Sequence, residues 1–115
     1  MTQASEHTSA PRPAYSICRE WRQVHLKTAY DVSMLDEHDE DGTARIADAA
    51  ETVKSTLESE LDDASITTGD DVGAVLGIAL CVLQENSDAE RASHLVRIAK
   101  KAVYRLGDAA LRRAA

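Results

Sequence analysis

Residues 72–83, Val-Gly-Ala-Val-Leu-Gly-Ile-Ala-Leu-Cys-Val-Leu, decide the fold. Wound as a helix, this stretch carries apolar side chains around almost its whole circumference, which predicts a central element covered by other helices. At twelve residues it is too short for the roughly 20 that a membrane span requires. Asp70 or Asp71 suits its N-cap, and the helix extends to about Gln84. Gly73 and Gly77 lie one turn apart on it. Each costs about 1 kcal/mol in helix propensity, a cost that close approach of a neighbouring backbone would offset.

The covering helices lie on either side in the chain. Upstream, Ile46, Ala49, Ala50, Val53, Leu57, Leu61 and Ala64 make a narrow stripe at helical spacing, begun by Thr43 as N-cap, and Asp48, Glu51, Glu58, Asp62 and Asp63 form its outer face. Ser65 to Gly69 reads as a loop. Further upstream, Ile17, Cys18, Trp21, Val24, Thr28, Val32 and Leu35 recur in three- and four-residue steps and predict a helix from Ala14 to about Asp36. The charged run 36–41, closed by Gly42, breaks the chain between these two helices. Downstream, Ser87-Asp88-Ala89-Glu90 matches a capping box and opens a last helix, which Gly107 bends or ends. That helix buries Ala92, Leu95, Val96, Ala99, Ala102, Val103, Leu106 and Ala110.

These elements predict an all-α protein, a small four-helix antiparallel bundle with short connections, residues 14–115 as its single domain and residues 1–13 as a flexible tail. A chain of 115 residues leaves no room for a second domain. Charge favours one pairing of helices. Residues 36–71 hold thirteen Asp and Glu against two basic residues, and residues 91–115 hold seven Lys and Arg against Asp108, so an acidic helix is expected beside a basic one.

Composition narrows the function classes. The net charge of −7 works against phosphate binding, which needs a basic surface. Cys18 and Cys81 fall inside apolar helical patterns and read as buried, reduced thiols, and the first thirteen residues lack the apolar core of a secretory signal. The expected address is the cytoplasm. Nothing sets a nucleophile beside a base and no glycine-rich phosphate loop occurs, so no catalytic residue, cofactor or small-molecule substrate is implied, and the chain reads as non-enzymatic.

Four constellations remain. Glu37, Asp39, Asp41, Gly42 and Asp48 fall at positions 1, 3, 5, 6 and 12 of a calcium loop, but that pattern calls for Asp first and usually Glu last, and Arg45 intrudes at position 9. Arg97, Lys101, Arg105 and Arg112 form a basic ridge on the last helix, the one surface that could hold a polyanion such as a nucleic acid. Trp21, His25 and Cys18 could line a small internal pocket, although a hydrogen-bonded structural histidine is the plainer reading of His25. The fourth is Leu26, Tyr30 and Met34, spaced four residues apart on the side of the first helix opposite its core stripe. Unless the fourth helix covers it, this stripe predicts docking of a protein partner or a second copy, and hence a small interaction or regulatory protein.

Overall fold

The computed structural model describes residues 11–114. They form the predicted all-α four-helix bundle, antiparallel within each of its two hairpins: α1 (Ala14–Ser33), α2 (Glu40–Glu60) running into a 3-10 turn (Leu61–Asp63), α3 (Gly69–Asn86) and α4 (Ala89–Ala114). Among the described residues there is no strand, only an isolated bridge between Pro13 and Ser65.

Two antiparallel hairpins lie side by side. In the first, Trp21 of α1 meets Glu58 of α2 and His25 meets Lys54, so numbers rise along one helix as they fall along the other. In the second, α3 and α4 are joined through Ser87 and Asp88. Between hairpins, α1 runs parallel to α3, with Tyr15 beside Asp71 and Arg22 over Gly77, and α2 runs parallel to α4, with Glu58 beside Arg91 and Asp62 beside His94. The core fills the space enclosed by Ile17, Cys18 and Trp21, Leu57 and Leu61, Val75, Ile78 and Val82, and Leu95 and Ala99, with Ile66 closing one end. Each large member contributes about 1.5–3 kcal/mol by leaving water.

The helix starts are displaced from the positions expected. Asp39, rather than Thr43, caps α2: its carboxylate accepts from the Gly42 N–H at 2.8 Å and fills the space a Cβ at that glycine would need. Thr68 caps α3 in a reciprocal box with Asp71. Ser87 is not the cap of α4; at φ 52° it ends α3 in the left-handed region, and Asp88 accepts from the Arg91 N–H at 3.1 Å instead. An aspartate carboxylate one residue later outcompetes the Ser-Glu box because Ser87 is already used to stop the preceding helix. Gly107 does not end α4, which continues to Ala114.

The central helix is only half covered. Val75, Ile78, Ala79 and Val82 are buried, but Leu76, Leu80 and Leu83 remain between 43% and 54% exposed. The expectation of apolar contact all round is overturned because α3 packs chiefly against two neighbours, α1 and α4, and α2 stands diagonally across. For the same reason Val96, Val103 and Ala110 of α4 are exposed, while Ala92, Leu95, Ala99 and Ala102 are buried. Gly77 receives the guanidinium of Arg22 rather than a backbone, and Gly73 faces open space. Of the expected tail, residues 1–10 lie outside the described residues. Arg12 and Pro13 are pinned: the Ser65 N–H donates to the Arg12 carbonyl and the Ala14 N–H to the Ser65 carbonyl, each at 2.9 Å, and the Arg12 guanidinium lies 2.8 Å from Glu20 and from Glu60.

Candidate functional site

The edge between α2 and α4 concentrates the charged groups. Arg91, from the first turn of α4, lays its guanidinium on Glu58 with Nε–Oε1 at 2.7 Å and a second nitrogen to Oε2 at 2.6 Å, and reaches Glu51 at 2.8 Å. The indole N–H of Trp21 donates to the same Glu58 at 2.9 Å. These hydrogen bonds to Glu58 hold the Arg91 guanidinium above its ordinary pKa despite partial burial. Next to Trp21, Lys54 is buried: its ammonium lies 4.6 Å from the indole centroid and 2.8 Å from Nδ1 of His25. An ammonium has only protons to offer, so Nδ1 of His25 must accept, which leaves its Nε2 proton facing Glu85 at 3.6 Å. His25 also stacks on Trp21, ring centroids 5.3 Å apart.

This network answers the pocket reading. Trp21 and Cys18 are core residues and His25 is a structural acceptor. Burial pushes the Cys18 thiol up to about 12, with Arg22 pulling it down and Asp71 pushing it up, so the thiol form is favoured over the thiolate. A groove of about 260 Å³ does open between α1 and α3, lined by Tyr15, Arg19, Arg22 and Leu26 with Cys18 at its floor. A polar cleft of about 410 Å³ lies over the α2–α4 edge, between Ser55, Ser59 and His94. His94 pairs there with Asp62 at 2.8 Å, not with Glu90 on its own helix. Glu58, expected on the acidic outer face of α2, is instead buried, and Lys54, one turn before it beside the core stripe, takes the buried position expected for Val53, which is exposed.

The other predicted residues are placed as follows. Leu26, Tyr30 and Met34 are exposed at 63–68%, and α4 does not cover them. Along the basic ridge, Arg97, Lys101 and Arg112 are exposed and pair with no carboxylate among the described residues, whereas Arg105 is turned back to donate to the Ile66 carbonyl. The ridge is therefore interrupted at Arg105. Around the calcium-like run, Asp39 is committed to capping α2, and among the described residues no three His, Cys, Asp or Glu side chains converge as a metal cage. No described helix is long and apolar enough to cross a membrane. A scan for protein families and searches of characterised proteins and solved structures return no match to this chain.

Proposed function

We propose that the protein is a non-enzymatic cytoplasmic interaction module that acts through protein–protein contacts, with Leu26, Tyr30 and Met34 as a docking stripe and a homodimer as one of its assemblies. The observation that carries this reading is the exposure of that stripe: a Leu, a Tyr and a Met in line on the outer half of α1 form an apolar strip of the kind that binding surfaces favour. Its support is also chemical. Among the described residues, the buried charged groups Lys54, Glu58 and Asp71 are each spent on structural partners rather than left free to act on a substrate. Cross-linked co-purification of the tagged full chain from its native cells tests the reading. The wild type should retain a discrete set of proteins that Tyr30→Asp loses with unchanged helix content; an identical set from both would sink it. The unpaired Arg97, Lys101 and Arg112 favour a second reading, a nucleic-acid-associated regulator, for which filter binding should weaken steeply with added salt.

A further inference from the structure

Leu76, Leu80 and Leu83 stand on the outer side of α3, and Gly73 begins the same line. Their steps are three, four and three residues, the spacing by which one helix seats against another in a coiled coil. Leu83 and Val96 line one shallow groove of about 400 Å³, so the apolar line on α3 widens onto α4. We propose that this face joins two copies of the chain, α3 running antiparallel to α3 of the second copy about a two-fold axis. The proposal deepens the interaction reading above by assigning self-association to α3 rather than to the α1 stripe.

Three observations favour a second copy over another occupant. First, the three-four-three spacing reads the same in both directions. An antiparallel copy therefore meets it in register, with Leu76 opposite Leu80 twice and Gly73 opposite Leu83 twice, so the only hole in the line receives one of its projecting side chains. Second, Gly73 faces open space within its own chain, so its propensity cost of about 1 kcal/mol has no return unless something outside packs there. Third, the line carries no carboxylate, so the net charge of −7 does not set two copies against each other across it. The exposed parts of these leucines with Val96 and Val103 amount to roughly 400 Å² per copy, about half the side of a standard interface, which suits a reversible dimer.

Sedimentation equilibrium of the full chain, with charge-swap complementation, tests the proposal. The wild type should dimerise reversibly. Leu76→Glu and Leu80→Lys, both at exposed positions, should each be helical monomers, with dimer dissociation constants raised more than tenfold. An equimolar mixture of the two should recover dimers, because one layer becomes Glu against Lys and the other stays Leu against Leu. A wild type that is monomeric throughout, variants that still dimerise, or a mixture that stays monomeric would each overturn it. If Tyr30→Asp alone dissolved the dimer, the copies would meet through α1: the proposal would fall while the interaction reading stood. Partners lost with Tyr30→Asp test that reading independently of either result.

Discussion

Glu58 is the residue on which the interior charge depends. It accepts from Trp21 and twice from Arg91 while almost wholly withdrawn from water, so its charge is neutralised at short range by a guanidinium that Glu51 also holds. Replacing a well-made buried pair by apolar residues is often neutral, but removing one partner leaves the other stranded. Glu58→Ala leaves Arg91 with only the half-exposed Glu51 and the Trp21 N–H with no acceptor, and is expected to cost about 3–5 kcal/mol in urea unfolding. Glu58→Ala combined with Arg91→Met should be markedly less damaging than Glu58→Ala alone, because the stranded cation goes with it. A double variant as unstable as the single would mean that packing around Glu58, rather than its charge, is what matters.

Among the elements, the capping groups join the helices as well as starting them. Asp71 lies in the first turn of α3, yet one of its oxygens accepts from the Tyr15 N–H at 2.9 Å, in the first turn of α1, and the other accepts from the Thr67 and Thr68 N–H groups. Burial by itself would raise its pKa, but these amides and the Thr68 hydroxyl together outweigh burial and hold it below the ordinary carboxylate range. A depressed value means the charged form is favoured by folding. Its contribution is thus complete above the ordinary carboxylate pKa, near 4, and is lost as pH falls through the lower folded value. Asp71→Asn should be less stable than the wild type at pH 7 by roughly 1–3 kcal/mol, and the gap should shrink as acid is added below pH 4; a gap independent of pH would show that the charge is immaterial. The elements themselves were legible because helical spacing in Ile17–Trp21, Leu57–Leu61 and Leu95–Ala102 reports burial directly. The caps were not. Asp39 and Thr43, or Ser87 and Asp88, have similar intrinsic merit, and the choice falls to how the preceding segment ends, which local spacing does not encode. The exposed side of α3 was hidden for a related reason: an all-round apolar helix reads as buried unless the number of its neighbours is known.

At the scale of the whole molecule, the two hairpins are joined by unlike seams. The α1–α3 seam is built from small groups, with Ala14, Cys18 and Ala74 in or against the core and Arg22 seated on Gly77. The α2–α4 seam is polar, Glu51, Glu58 and Asp62 reaching Arg91 and His94, and it is where the acidic and basic halves of the chain meet. Those ion pairs occupy only the first two turns of α4, so most of the positive charge of that helix remains on the surface while its apolar side faces the core. Neither hairpin closes a core alone: Trp21 of the first needs Val75 and Ile78 of the second to exclude water around it, as members of one cluster. A bundle whose single core spans both hairpins should unfold as one unit. The fluorescence of Trp21, the chain's one tryptophan, reports the centre of the molecule, and far-UV circular dichroism reports all four helices, so the two probes should trace the same urea transition with one midpoint. Arg91→Ala should shift both midpoints down together. An early loss of helix signal that leaves the fluorescence of Trp21 unchanged would mean that α4 detaches first, and that the polar seam, unlike the small-residue seam, is not part of the cooperative core.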